Sequence, residues 1–132
     1  MEDAKPYGVA YMATPPEENQ KSDKLTLDEY QQTALSTAIY PHDRDIPYLA
    51  LALCGESGEL ADKVKKVIRD KDGRFYQPDI HAIADELGDL LWYASVLAHT
   101  LGYKLSDIAK LNNEKIKGRI ERGTLHGSGD NR

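Results

Sequence analysis

Four carboxylates in the middle of the chain are spaced as a metal site would need them. Glu56 and Glu59 stand three residues apart in "CGESGEL", and Glu86 and Asp89 three apart in "DELGDLLWY". Helical residues at i and i+3 share a face, and like charges placed there cost a few tenths of a kcal/mol. One such pair is common on a solvated helix. Two pairs on consecutive helices, each bordering an apolar stripe and each beside glycine (Gly55, Gly58, Gly88), ask for a cation to hold them together. Carboxylate oxygens without a His or Cys partner select hard ions, Mg²⁺ or Mn²⁺. A helical glycine costs about 1 kcal/mol against alanine, which a close approach of elements would offset.

Basic and polar groups extend the pattern. Lys63 and Lys66 continue the flank of Glu56 and Glu59, placed for phosphate oxygens or, equally, for an i, i+4 pair such as Glu59 with Lys63. Further on, Asn112, Lys115 and Arg119 share a helical face with Ile108 and Ile116, which predicts Asn112 and Arg119 pointing inward. Buried Asn and Arg need partners. A phosphate matches the Arg119 fork, and a carboxylate of another helix would also serve. Tyr93, one turn after Asp89, falls on the carboxylate side. Trp92 reads as core and Tyr40 as a wall or stacking residue. His42, Asp43 and Arg44 stand in a loop within reach of a base edge. His81 and His99 read as structural or surface residues, with no acid at ligand spacing. Asp70, Asp72 and Gly73 make a turn, because an EF-hand places its glycine sixth and here it is fourth.

The elements that must position these groups are all helical. Thr26 with Glu29 forms a capping box, so the first helix starts at Leu27 and runs to just before Pro41. "PHDRDIP" is a loop. The second helix covers Tyr48 to Arg69, and "KDGRFYQ" is the turn after it. Pro78 suits the first turn of a third helix, which runs to about Leu101 and stops at Gly102. Ser106 caps a fourth, ending at Gly123. No stretch alternates with period two for long enough to make a strand. The fold class is all-α, a four-helix bundle. Residues 1–24 form an acidic, Pro-containing arm, residues 25–123 the helical domain, and residues 124–132 a Gly-rich tail. Helices joined by a short turn pack antiparallel, which lets the two acid pairs converge.

With 132 residues the chain makes one domain, and 30% charged residues fit a soluble protein. A net charge of -5 argues against a general nucleic-acid binder. No apolar run approaches the roughly 18 residues of a membrane span, and the N-terminus carries no apolar signal-peptide core. The single cysteine, Cys54, fits a reducing compartment. A cytoplasmic location without membrane or nucleic-acid partners is the expectation.

"GESGELADKVKK", "DELGDLLWY", "NNEKIKGR" and the closing "HGSGDNR" resemble the MazG-like all-α nucleoside triphosphate pyrophosphohydrolases, in their short single-domain, phage-type and bacterial form. The resemblance runs from Leu27 to Arg132. It implies Mg²⁺-dependent hydrolysis of a (d)NTP to (d)NMP and pyrophosphate. Glu56, Glu59, Glu86 and Asp89 would hold the metal, with Glu56 or Glu59 also orienting the attacking water. Lys63, Lys66 and Arg119 would meet the departing pyrophosphate, Asn112 and Lys115 the sugar and phosphate chain, and Tyr93 the nucleoside. It also implies a homodimer or homotetramer with the site completed across a subunit interface. dGTP or GTP is the implied substrate, with dCTP, dUTP or a modified dNTP as alternatives. A di-iron carboxylate bundle would need Glu-x-x-His pairs, and the chain has none. A non-enzymatic helical dimerisation module with acidic seams is the remaining reading.

Overall fold

Thr26 opens the first helix by a reciprocal pair of bonds. Its hydroxyl accepts from the Glu29 backbone N–H at 3.2 Å, while the Glu29 carboxylate accepts from the Thr26 N–H at 2.7 Å. The capping box read from the sequence is therefore formed. The computed structural model describes residues 24–40 and 42–129. Among the described residues there are four α-helices and no strand: α1 (Leu27–Ser36), α2 (Asp45–Lys71), α3 (Gln77–Thr100) and α4 (Leu105–Glu121), with a 3₁₀ turn at His42–Arg44. All of the arm except Lys24, and the last three residues of the tail, lie outside the described residues. Among the described residues, no helix is long and apolar enough to cross a membrane.

Three boundaries differ from the sequence reading, each for a local reason. α1 ends at Ser36, short of Pro41. There the hydroxyls of Thr33, Ser36 and Thr37 turn back onto the carbonyls of Glu29, Thr33 and Ala34. Such bonds compete with helix propagation. α2 begins at Asp45 because its first turn tolerates Pro47 and welcomes an acid. It closes at Asp72, which takes a left-handed conformation (φ 53°) just before Gly73 (φ 70°). Ser106 is not the cap of α4. Lys104 holds that position, and Ser106 donates its backbone N–H (3.1 Å) and its hydroxyl (3.0 Å) to the Asp28 carboxylate instead. Those two bonds tie α4 to α1 and hold the Asp28 carboxyl below the usual carboxylate range.

The short turn between α2 and α3 folds them into a long antiparallel hairpin, the most extensive pairing in the molecule. α1 lies on α3, and α4 touches α1 and α3 but not α2. The core sits where α1 crosses the hairpin. Leu49, Val96 and Ala34 are buried there, ringed by Tyr30, Leu35, Tyr40, Trp92, Tyr93 and Leu97. Gln31, 2% exposed, locks this junction. Its amide donates to the carbonyls of Ser95 (2.9 Å) and Tyr103 (3.2 Å) and accepts from the Leu105 N–H (3.1 Å). One buried side chain thus satisfies the end of α3 and the start of α4 together.

Candidate metal centre

Glu56 lies midway along α2, and Glu86 with Asp89 midway along α3, so the hairpin sets them opposite one another. One oxygen from each of the three falls within 4.8 Å of the others. Glu86 is buried, Glu56 half-buried and Asp89 exposed, so the cluster opens outward from a protected floor. Glu59 is exposed and stands outside this group of three. The convergence expected of four carboxylates is reached by three, with Glu59 exposed but still close enough to act on the Glu56 carboxyl.

The electrostatics follow the geometry. Burial, then the nearby Glu59, Asp89 and Glu86 carboxylates, push the Glu56 carboxyl above its ordinary range. Lys63 does not pair with Glu59. Its ammonium sits 3.0 Å from Glu86 Oε1, across the hairpin, and that hydrogen bond raises the lysine's pKa. This is the positive group that makes an acid pair tolerable on a half-buried helix. Lys66 bonds Asp62 at 2.6 Å, and Lys65 with Lys66 holds the Asp62 carboxyl down to about 2.

Two clefts flank the trio. One, about 380 Å³, is lined by Thr37, Glu56, Asp89, Trp92 and Tyr93. The other, about 390 Å³, is lined by Gly55, Gly58, Glu59, Asp62, Lys63 and Lys66. The first sets aromatic rings beside two of the three carboxylates, and the second is lined mainly by charged groups. Tyr93 is where the sequence reading set it: burial, then Tyr48, Glu56 and Asp89, push its phenol up. Trp92 packs on the core, as read, yet it also walls this cleft and donates its indole N–H to Thr37 Oγ1 at 2.9 Å. Tyr40 stacks on Tyr48 with centroids 5.2 Å apart. His42 bonds Asp45 and faces a separate cleft with Tyr40 and His99. His81 and His99 are exposed.

Sequence reasoning missed Thr37 and Tyr30, both from α1. Tyr30 has its phenol pushed up by burial and then by Asp89. Both lie far in sequence from the acids of the trio, so no spacing within α2 or α3 could have found them. Two expectations are corrected. A methyl group added at Gly55, Gly58 or Gly88 would meet nothing within 4 Å, so these glycines make no close approach within this chain. They border open space. Asn112 and Lys115 are exposed, and only Arg119 is half-buried. Because α4 does not touch α2, the polar face of α4 is not brought to the carboxylates of its own chain.

Three carboxylates with no imidazole or thiol form an all-oxygen donor set, suited to a hard divalent ion. Burial first, and the neighbouring carboxylates second, disfavour the bare Glu56 anion, which a cation would relieve. The residues fit such an ion. Residues 46–123 match the model of the MazG nucleotide pyrophosphohydrolase domain, a span that contains the trio, Glu59, the charged cleft and all of the aromatic cleft's lining except Thr37. The chain belongs to the MazG family. Its relatives include the Gene 37 protein of Mycobacterium phage L5, 44% identical over 114 residues that cover 82% of this chain and 100% of the relative. No solved structure matches it. Both acid pairs lie within the match, while α1 with its C-cap, which supplies Tyr30 and Thr37, lies before it.

Proposed function

We propose that this MazG domain hydrolyses a (d)NTP to (d)NMP and pyrophosphate, with Glu56, Glu86 and Asp89 holding Mg²⁺. The convergence of these three carboxylates within the family match carries the reading. Bound there, the ion would supply Lewis-acid polarisation of a phosphoryl oxygen and a water of lowered pKa. The chain's own residues do the rest. The two clefts give the substrate a direction: its charged end belongs beside Lys63 and Lys66, and its nucleoside beside Trp92 and Tyr93. Lysines on the phosphate side stabilise charge on the departing pyrophosphate. With Glu56 engaged as a ligand, Glu59 is the carboxylate left to orient the attacking water or take its proton.

Asn112, Lys115 and Arg119 join this scheme through a second copy of the chain, as a homodimer or homotetramer. The support is the face of α4 that carries these three residues, where Ile108 is 37% and Ile116 38% exposed. dGTP and GTP are the substrates to try first, with dCTP, dUTP and modified dNTPs as alternatives.

The test is to incubate the protein with each of the eight common NTPs and dNTPs and Mg²⁺, then separate the products. A monophosphate with pyrophosphate, lost on adding EDTA, is the expected result. A diphosphate with free phosphate would mean that another bond is cut and that the substrate lies differently.

A further inference from the structure

Lys63 and Glu86 meet across the hairpin, and the two ends of their ion pair are unlike. The Glu86 side chain is 10% exposed and fixed in the floor of the cluster, whereas that of Lys63 is 37% exposed. The ammonium thus reaches a buried oxygen from the solvent side on a long, flexible stem. Glu86 is also a member of the trio. An ammonium 3.0 Å from one of its oxygens stands within a few ångströms of any dication those carboxylates hold, and like charges so close repel strongly. Only one of the two cations can keep Glu86 at full strength.

The displaced group has somewhere to go. Lys63 borders the charged cleft with Gly55, Gly58 and Lys66. The two glycines leave that cleft open, since a methyl added to either would touch nothing within 4 Å. A lysine stem pivoting on α2 can therefore swing from Glu86 into the cleft without moving the backbone.

We propose that Lys63 is a resident counter-ion of the metal centre, holding Glu86 until a divalent ion arrives and then delivering its ammonium to the phosphate chain. The proposal rests on the reading that the trio holds a metal, and it deepens that reading. It makes metal and phosphate binding interdependent. A divalent ion alone must break the buried ion pair and leave the ammonium with only the more exposed Glu59 and Asp62 of the cleft. In the presence of a triphosphate the same ammonium finds a new anion. By linkage each ligand then raises the affinity for the other by the same factor.

Mn²⁺ binding, followed by the loss of the free-ion EPR signal, tests this on the intact protein without turnover. Wild type, Lys63→Met and Lys63→Arg are titrated alone and with a dNTP analogue carrying a non-hydrolysable α,β-methylene link. Removing the competing charge should tighten Mn²⁺ binding by roughly tenfold in Lys63→Met and shrink the mutual enhancement with the analogue. Lys63→Arg should stay near wild type in Mn²⁺ affinity. Equal or weaker Mn²⁺ binding by a folded Lys63→Met overturns the counter-ion role while leaving the metal site standing. No Mn²⁺ binding by wild type, with or without analogue, overturns the metal-site reading and this proposal with it. Should Lys63→Met fail to fold, acetic anhydride labelling of the wild type decides. Acetylation of Lys63, measured against exposed Lys65, should rise when Mn²⁺ is added at constant ionic strength. An unchanged ratio overturns the proposal.

Discussion

The α2–α3 hairpin and helix α4 are both amphipathic, and they use that property in opposite ways. The hairpin finds its partner within the chain. It buries Leu49, Val67 and Val96, and gathers three carboxylates where its helices face each other. α4 buries Leu105 in its first turn and little beyond, with Ile108 37%, Ile116 38% and Ile120 58% exposed. An apolar stripe at period 3.6 says that a helix face seeks cover. It does not say whose surface provides it. The hairpin gathers carboxylates that could hold a cation, whereas α4 leaves its face exposed, as the proposed interface requires.

Breaking the hairpin's side of the contrast should have the largest effect. Glu86→Gln is expected to lower turnover by about 100-fold or more with the helical circular-dichroism spectrum unchanged. Glu59→Gln, outside the trio, should keep wild-type Mn²⁺ binding while losing activity. If both variants lost metal affinity equally, the trio would have to be redrawn as a quartet. The junction that carries α4 comes next. Gln31→Leu strands the carbonyls of Ser95 and Tyr103 and the N–H of Leu105, for a loss of about 2–4 kcal/mol in urea unfolding. A loss under half a kcal/mol would mean that water replaces the amide.

On the α4 side, Ile116→Ser combined with Ile120→Ser should reduce the mass measured by light scattering while leaving helicity intact. A wild type that is already monomeric would sink the reading of α4 as an interface. The smallest effect concerns the tie between α1 and α4. The Asp28 carboxyl is held below its ordinary value by the Ser106 hydroxyl and N–H, so the folded state favours the ionised form more than the unfolded chain does. That contribution is complete above the ordinary Asp pKa and disappears as pH falls through the lowered one. Ser106→Ala should weaken stability slightly at neutral pH and flatten its decline on acidification. An unchanged slope between pH 5 and 2 would show that the tie contributes nothing.

Much of the hairpin was legible because its signals are local. The i, i+3 acids, the Thr26 cap and the left-handed residues before α3 each act within one or two turns. What escaped the sequence depends on who meets whom. Ser106 has the right type for a cap, but Asp28, far away in sequence, captures it. Thr33, Ser36 and Thr37 ended α1 early, where a reader weighs Pro41 as the stronger stop. Lys63 has Glu59 as its sequence neighbour, yet the hairpin offers it Glu86 at 3.0 Å. Asn112 and Lys115 share a face with isoleucines, and periodicity alone could not show that both stay exposed while Arg119 on the same face is half-buried.

Trp92 has one more consequence. It is the chain's single tryptophan, it walls the cleft that holds Glu56 and Asp89, and Tyr93 stands edge-on to it at 4.9 Å. All of the protein's indole fluorescence therefore comes from beside the carboxylates. The unlabelled molecule carries its own optical probe, whose colour and intensity respond to charge, quenching and water at that one place.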